Sequence, residues 1–431
     1  MITDMDSNRF ATHSLQDARL LRILSAALEA VDPFQAVQKY LPKIEGRVFG
    51  LGIGKAAIPM MDALAEQIPL SGGLAVTKFA SGLSRESFTI LEGGHPIPDA
   101  RSLYAGEQVL EFVSSLKEDD TLVCLISGGG SALMTAPYVS LEDLQTLTSL
   151  LLSSGARIDE INVLRRQLDR VKGGGLAGAT KAKIISLILS DVIGNPLEAI
   201  ASGPTTPDPT TRKDALTILK KYDLDQQVPN SILNFLESGS SLQPQGSSKI
   251  QGQVLGLDGI QNIIIGDNKL AAQAALEQAE LEGFHAEILT DGLQGEAREV
   301  GQNLARRLRV SISAKPRPFC LIAGGETTVK IKGEGKGGRN QELALAALPV
   351  LSGLQKVILV ALATDGDDGP TDAAGAVVTD DSAQRAESLG LDATSYLSRN
   401  DSYPFFEALG DLLKTGPTGT NVNDLVFLYA L

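Results

Sequence analysis

The sequence predicts an α/β fold made of two domains. Apolar runs of strand length alternate along the 431 residues with longer segments whose apolar residues recur at helical spacing. Glycine-rich turns directly follow several of these runs. Aromatic residues make up only 4% of the chain, so small aliphatic side chains fill the interior, as helices packed on parallel strands require. We therefore expect mostly parallel sheets flanked by helices.

The first half of the chain contains the clearest signals for strands and helices. Apolar residues at helical spacing predict a helix over 17–31, and we expect Pro33 to end it. Short strands are predicted at 48–51, 74–76, 121–126 and 183–189. Helices are predicted from the turn at 52–55 to about residue 67, and at 103–116, 141–152 and 158–171.

A stretch that is poor in apolar residues and rich in helix breakers, 238–248, predicts a linker. We therefore divide the chain into an N-terminal Rossmann-like domain, 1–240, and a smaller C-terminal α/β domain, 241–431. The alternation resumes in the second part. Strands are predicted at 262–265, 286–289, 318–323 and 357–362, a hairpin arm at 329–332, and helices at 269–282, 296–310 and from 339 onward.

Composition excludes several classes of function. The formal charge is −14, from 38 basic and 52 acidic residues, which argues against binding to nucleic acid or to an anionic membrane. The two cysteines lie in apolar runs and are expected to be buried thiols in a reducing compartment. No apolar run is long enough for a membrane helix, and the first residues do not resemble a signal peptide. We expect a soluble, cytoplasmic protein.

Three glycine turns follow strand-like runs, at 50–55, 127–131 and 335–340. A glycine turn between a strand and a helix can point several N–H groups at an anion near the positive end of the helix dipole. Three such turns, two of them carrying a cation, predict a polyanionic ligand. The candidate binding residues in the first two turns are Gly52, Gly54, Ser127, Gly128, Gly129, Gly130 and Ser131.

Two cations in these turns are the best candidates for catalysis. Lys55 would place a point charge on a phosphate, although a solvated lysine is the alternative. Arg339 carries a planar fork suited to phosphate or carboxylate, and its alternative is a surface pair with Glu342. Ala56 after Lys55 breaks the P-loop NTPase pattern, and Lys78 stands where a dinucleotide site would need an acid.

Acidic and polar residues at other strand ends complete the predicted site. Asp191 could bind Mg²⁺ or take a proton from a substrate hydroxyl, or it could simply cap a turn. Asp365 is the best metal candidate in an acidic loop that is otherwise expected to be solvated. One arginine of the basic helix over 158–171 could also reach the site. Asn195, Glu326 and Asn340 are further candidate polar contacts.

Eight segments carry a resemblance to a known family: 52–57, 95–99, 127–133, 190–195, 325–328, 337–342, 364–372 and 415–424. Taken together, they resemble the class II glycerate 2-kinases, the glycerate kinases of the hydroxypyruvate reductase operon type. The resemblance implies transfer of the γ-phosphate of ATP to D-glycerate with Mg²⁺, giving 2-phosphoglycerate, in a cleft between two α/β domains. It assigns the catalytic pair to Lys55 and Arg339, and a family-specific module to about 319–424.

Alternatives remain open at this point. The acceptor could be another small hydroxy acid, and the product could be 3-phosphoglycerate. A protein that binds a phosphorylated metabolite without catalysis is a third hypothesis, although acids at strand ends would repel such a ligand. The oligomeric state is open, with a homodimer among the options.

Overall fold

The computed structural model describes residues 7–79, 83–238, 249–250, 253–254 and 259–431. The chain forms two compact units. One is Pro33–Ile265, and the other joins the described residues up to Asp32 to Gly266–Leu431. The first described elements are a 3-10 turn, Ser7–Phe10, and helix α1 (Ala18–Glu29). The predicted boundary after residue 240, and all of the predicted linker except Ser238, fall outside the described residues.

The unit formed by Pro33–Ile265 is built on a six-stranded sheet in the order β3-β2-β1-β4-β5-β8. The four pairings from β3 through β5 are all parallel. Its strands are β1 (Val48–Ile53), β2 (Leu70–Thr77), β3 (Thr89–Glu92), β4 (Thr121–Ile126), β5 (Lys183–Leu189) and β8 (Ile260–Gly266), and β6 (Lys249–Ile250) and β7 (Gln253–Val254) form a separate ribbon.

Helices flank these strands, because parallel neighbours must be joined by crossover connections. They are α2 (Pro33–Tyr40), α3 (Ala57–Gln67), α4 (Ala100–Ser114), α5 (Gly130–Leu133), α6 (Leu141–Ser153), α7 (Ile158–Gln167), α8 (Gly175–Gly178), α9 (Arg212–Lys221) and α10 (Asn230–Glu237), with a 3-10 turn at Ile200–Ser202. Buried residues of α6, α7, α9 and α10 form an apolar cluster of their own.

The strand register places two predicted turns side by side. Ile53, the last residue of β1, pairs with Ile126, the last residue of β4. Ile126 in turn pairs with Ile188 near the end of β5. The chain segments that leave these three strands therefore begin at one edge of the sheet, where open α/β sheets bind their ligands.

The second unit contains a mixed sheet in the order β13-β12-β11-β14-β10-β9. Its strands are β9 (His285–Leu293), β10 (Phe319–Gly325), β11 (Val357–Ala363), β12 (Gly375–Thr379), β13 (Leu412–Leu413) and β14 (Asp424–Ala430). Its further helices are α11 (Asn268–Leu281), α12 (Ala297–Ala314), α13 (Arg339–Leu351), α14 (Ser382–Ser388), α15 (Ala393–Ser398) and α16 (Ser402–Leu409).

Mostly parallel sheets were expected, and the second sheet is the mixed one. Only β9 and β10 pair in parallel, and the other four pairings are antiparallel. The last strand, β14, inserts between β10 and β11, which places its first residue, Asp424, beside Gly325 and Ala363. All seven residues of β14 are buried, so its apolar run looks the same as that of a buried parallel strand.

The N-terminal segment packs in the second unit, in contrast to the predicted division. Helix α1 presents an apolar face and packs against α11. The hydroxyls of Thr12 and Ser14 donate to the fully buried carboxylate of Asp411 at 3.0 and 2.8 Å. The Thr420 hydroxyl donates to the carbonyl of Val31 at 2.7 Å. These contacts join residues about 400 positions apart, which local sequence patterns cannot reveal.

Smaller differences have local causes. Pro33 begins α2 as well as following α1, because proline is tolerated in the first turn of a helix. Helix α7 ends at Gln167. Residues 329–332 form no strand. Cys124 and Cys320 are free and buried, as expected, and burial raises the pKa of the Cys124 thiol to about 12. Among the described residues, no helix combines the length and the apolar character needed to cross a membrane.

Candidate active site

In the Pro33–Ile265 unit, the turns after β1 and β4 are bonded to each other. The Ser127 hydroxyl accepts a hydrogen bond from the N–H of Ala56 at 3.0 Å and donates to the carbonyl of Ile53 at 3.3 Å. The N–H of Lys55 donates to the carbonyl of Gly128 at 3.0 Å. Gly54 has a φ of +119°, and a Cβ there would overlap Ser127. The predicted binding serine Ser127 thus fixes one turn against the other.

The glycines of the second turn allow functional side chains to approach the backbone. A Cβ added at Gly128 would overlap the Oδ2 atom of Asp191. A Cβ added at Gly129 would lie 3.3 Å from Cδ2 of His95 and 3.4 Å from Cγ of Lys55. The structure therefore brings Lys55 and Asp191, two of the predicted catalytic residues, to the same turn. It adds His95, which the sequence analysis did not select.

The backbone of this turn is suited to an anion. The N–H groups of Gly128, Gly129, Gly130 and Ser131 have no hydrogen-bond partner within the part of the chain that the structure describes. Four consecutive N–H groups at the start of α5 form the kind of nest that binds phosphate. The Ser131 hydroxyl lies 2.7 Å from the hydroxyl of Ser202.

Two other predicted residues have different surroundings. Gly52 lets α3 approach the strand, since a Cβ there would lie 2.7 Å from Cγ of Met61. The close contact that Gly52 permits is therefore with another part of the protein and not with a ligand. Asn195 follows Gly194 in the left-handed region, with φ values of 53° and 77°. Its N–H donates to the carbonyl of Val192 at 3.0 Å, which folds the loop after Asp191 back on itself.

Positive charge gathers around His95. Burial lowers the pKa of this imidazole, and the charges of Lys55, Lys78 and Arg165 lower it further. The histidine is therefore neutral at pH 7 and adds no charge of its own. Lys55 is exposed, whereas Lys78 and Arg165 are half-buried. Cations that repel one another around a neutral group form a site that favours an anion.

In the second unit, Arg339 is held by two acids. It begins α13, and its Nε and Nη2 atoms donate to the two carboxylate oxygens of Asp424 at 2.6 and 2.9 Å. Its Nη1 donates to Glu326 at 2.5 Å. Asp424 is almost fully buried, and burial raises its pKa to about 6, against the opposing effect of Arg339. Burial alone would lower the pKa of Arg339, but the bonds to Asp424 raise it overall.

The glycine turn before α13 is largely occupied by protein groups, contrary to the expectation of a third open anion site. The N–H groups of Gly335 and Lys336 donate to the carbonyl of Arg399 and the carboxylate of Asp401, each at 3.0 Å. The carboxylate of Asp368 caps the helix by accepting from the N–H groups of Asn340 at 3.0 Å and of Gln341 at 2.9 Å.

Asp368 is fully buried, and burial raises its pKa to about 7, although the two N–H groups of the helix act in the opposite direction. The predicted contact Asn340 is 1% exposed, and its Oδ1 atom has no hydrogen-bond partner among the residues that the structure describes. Asn340 is therefore a buried neighbour of Asp368, with one acceptor left unsatisfied.

The predicted metal residues, Asp191 and Asp365, belong to different units. Within the described residues, no group of three or more histidine, cysteine, aspartate or glutamate side chains could hold a metal ion. Asp365 follows β11 and accepts from the N–H of Asp367 at 3.1 Å. Single carboxylates of this kind fit Mg²⁺, which is usually held by one or two carboxylates together with water and substrate phosphates.

Four residues that shape these sites were not selected from the sequence: His95, Arg165, Asp368 and Asp424. His95, Asp368 and Asp424 lie in motifs that were quoted for the family resemblance, so their motifs were available as a signal. Asp424 is 85 positions from Arg339, and only the pairing of β14 with β10 brings them together. The basic helix was noted, but no pattern distinguished Arg165 from its neighbours.

Comparisons with known proteins agree with this architecture. The family model described as a domain of unknown function, DUF4147, matches residues 19–237, and that of the MOFRL family matches residues 319–424. The glycerate 2-kinase of Pyrococcus horikoshii is 41% identical over 426 residues, covering 94% of this chain and 95% of that protein. The D-glycerate 2-kinase of Thermotoga maritima is 43% identical over 418 residues, covering 94% of this chain and 96% of that protein.

A solved structure extends the similarity to the fold. The crystal structure of a glycerate kinase from Thermotoga maritima matches with a TM-score of 0.87 at 43% sequence identity, covering 95% of this chain and 98% of that one. The resemblance carried by the sequence motifs is thereby confirmed, and the chain belongs to the class II glycerate 2-kinase family.

Proposed function

We propose that this protein transfers the γ-phosphoryl group of ATP to the 2-hydroxyl of D-glycerate, giving 2-phosphoglycerate and ADP. The observation that carries the proposal is the turn 128–131. Four N–H groups that have no partner among the described residues lie there beside Lys55 and Asp191, and the relatives of this chain include the D-glycerate 2-kinase of Thermotoga maritima. Phosphoryl transfer needs mainly positioning and charge neutralisation, which such a turn supplies.

We assign the residues of the first unit as follows. The N–H groups of the turn hold phosphate oxygens, and Lys55 neutralises the charge that develops on the transferred group. The substrate hydroxyl oxygen forms the new bond to phosphorus while the bond from the γ-phosphorus to the bridging oxygen breaks. Asp191, whose carboxylate lies against Gly128, takes the hydroxyl proton.

Arg339 is our second proposed catalytic residue. Asp424 orients its guanidinium through two bonds, and its Nη1 faces a half-exposed glutamate, Glu326, that an incoming phosphate could displace. Mg²⁺, when bound, would neutralise phosphate charge and align the transferred group. We propose Asp191, in the first unit, or Asp365, in the second, as the residue that supplies a carboxylate oxygen to it.

Further expectations remain proposals. We infer that the protein works in the cytoplasm, where its free buried thiols stay reduced. A homodimer is also a prediction, which light scattering on the purified protein would test.

The experiment is incubation of the purified protein with D-glycerate, ATP and Mg²⁺, with the products followed by phosphorus NMR. We expect a new monoester signal that matches 2-phosphoglycerate, together with equimolar ADP. A control without Mg²⁺ tests the metal, and a panel of hydroxy acids tests the acceptor. A signal of 3-phosphoglycerate would correct the position of transfer. Tight binding of a phosphorylated metabolite without ADP release would favour a non-catalytic binding protein.

A further inference from the structure

The basic segment that begins in α7 contains four cations, and three of them have acidic partners. Arg166 donates to Asp208 at 2.8 Å and both side chains are buried. Arg170 pairs with Glu107 and Lys172 with the buried Asp169. The fourth cation, Arg165, makes no hydrogen bond or ion pair within the described residues.

The position of Arg165 makes its lack of a partner significant. Its side chain is half-buried, so water can hydrate the guanidinium only in part and does not make up for a missing carboxylate partner. Burial also lowers the pKa of Arg165. Its charge acts on His95 and on Lys172 and lowers the pKa of both groups. An unpaired cation in such surroundings is unfavourable until an anion arrives.

The contacts of α7 tie Arg165 to the turn 128–131. The helix packs against the 3-10 turn Ile200–Ser202, and Arg166 also donates to the carbonyl of Glu198 at 3.3 Å. The hydroxyl of Ser202 then meets that of Ser131 at 2.7 Å. His95, on which the charge of Arg165 acts, is the same residue that lies against Gly129 beside Lys55.

We propose that Arg165 binds the carboxylate of the acceptor substrate and so selects small hydroxy acids over neutral alcohols. The inference rests on the proposed kinase function. The N–H groups of the turn and Lys55 already account for phosphate oxygens there, and the carboxylate is the one other anionic group that a hydroxy acid brings. A guanidinium fork matches both carboxylate oxygens, which a lysine cannot do.

The test compares Arg165→Met with Arg165→Lys and with a control, Arg170→Met, which removes a cation five residues away that already has an acidic partner. We expect Arg165→Met to raise KM for D-glycerate by about 30- to 100-fold, the range for losing a hydrogen-bonded charge partner, and to leave KM for ATP within about twofold. Arg165→Lys retains the charge without the guanidinium fork, so its KM for D-glycerate should lie between those of the wild type and Arg165→Met. Arg170→Met should resemble the wild type.

A second readout does not depend on turnover. The chain has three histidines, so the His95 signal can be assigned by substitution and titrated by NMR. Removing the positive charge in Arg165→Met should raise the pKa of His95. Adding D-glycerate to the wild type should also raise it, because a negative charge then enters the site, whereas the same addition to Arg165→Met should change it little. If Arg165→Met does not fold, Arg165→Lys carries the test.

The outcomes separate the two proposals. If the wild type fails to phosphorylate D-glycerate, the proposed function fails, and the His95 titration with D-glycerate still decides whether Arg165 binds a carboxylate. If the wild type is active and KM for ATP rises in Arg165→Met while KM for D-glycerate does not, Arg165 serves the phosphate donor and this inference is overturned. Unchanged KM values and an unchanged His95 titration would overturn it as well.

Discussion

Arg165 and Arg339 show how differently one residue type can be used within one chain. Arg339 follows a glycine turn and was selected from the sequence, yet it is held by Asp424 and Glu326. Arg165 lies on an ordinary basic helix and was not selected, yet it has no acidic partner among the described residues. Availability for a ligand depends on the partners that the fold supplies, so a motif alone cannot establish it.

The glycine turns before the helices differ in the same way. At 128–131 the backbone N–H groups have no hydrogen-bond partner among the described residues, and Lys55 lies beside Gly129 while the carboxylate of Asp191 lies against Gly128 without bonding to these N–H groups. Before α13, Asp368 occupies two N–H groups of the helix start, and Asp401 and Arg399 occupy two more in the loop. An acid at a helix N-terminus is the usual structural alternative to a bound anion. The first turn is therefore better suited to phosphate.

The largest effect should come from the first turn. We expect Lys55→Ala to lower kcat/KM by about 10³-fold, because it removes a fixed charge from the transferred phosphoryl group. The exposed residue Lys117 provides the control, and Lys117→Ala should behave like the wild type. Steady-state kinetics with thermal unfolding checks both. Near-normal turnover in a folded Lys55→Ala protein would contradict the role proposed for the first turn.

Arg339→Met should show a mixed effect, which is what distinguishes it from Arg165. We expect kcat/KM to fall by about 10²-fold and the free energy of unfolding to fall by about 1–3 kcal/mol, since Asp424 is left buried and unpaired. Arg165→Met should leave the free energy of unfolding unchanged or raise it. Denaturant unfolding of the two variants measures this difference directly.

The variant Arg339→Met with Asp424→Asn separates structure from catalysis. Removing the unpaired carboxylate should restore most of the stability while activity stays low. Recovery of activity along with stability in this double variant would mean that Arg339 has only a structural role. If the single variants Arg165→Met and Arg339→Met had equal free energies of unfolding, the two arginines would not differ in the way described above.

The sequence was informative where local pattern determines structure. The strand Lys183–Leu189 lies where its apolar run predicted it, and Lys55, Ser127 and Asp191 meet at the strand ends where a parallel sheet gathers them. It was uninformative where distant segments meet. The pairing of β14 between β10 and β11, the packing of α1 on α11, and the partner of Arg339 all depend on contacts that no local periodicity encodes.

Gly128→Ala tests how closely Asp191 must approach the turn. The added Cβ would overlap the Asp191 carboxylate, so the carboxylate or the turn must move. A shift of about 1 Å in a catalytic group can lower the rate by about 10²-fold, so we expect kcat to fall by about 10- to 100-fold.

Gly155→Ala is the control, because the φ of Gly155 is +73° but a Cβ there meets nothing within 4 Å. It should cost about 1–2 kcal/mol of stability and no activity. Equal activity losses would show that backbone strain alone explains the effect.

The smallest effect concerns the acid that caps α13. The pKa of Asp368 is raised to about 7 from its ordinary 3.8, so between these values the folded chain holds a proton that the unfolded chain has released. The stabilising contribution of Asp368 is therefore complete below pH 3.8 and is lost as pH rises through about 7. We expect Asp368 to lower the free energy of unfolding by about 1 kcal/mol per pH unit at most across this window, and Asp368→Asn to remove that part of the slope, leaving below pH 6 the part due to Asp424, whose pKa is raised to about 6. Asp372, in the same loop, is the matched control, because a hydrogen bond from Tyr403 lowers its pKa. Its contribution is lost only as pH falls below the ordinary value, so Asp372→Asn should leave the slope between pH 5 and 7 intact.

Urea unfolding from pH 5 to 8 measures these slopes. The prediction fails if the free energy of unfolding of the wild type is flat or rises with pH in this range and Asp368→Asn does not change that dependence. That result would show that the two N–H groups of α13 keep Asp368 ionised, so that a full negative charge occupies the turn.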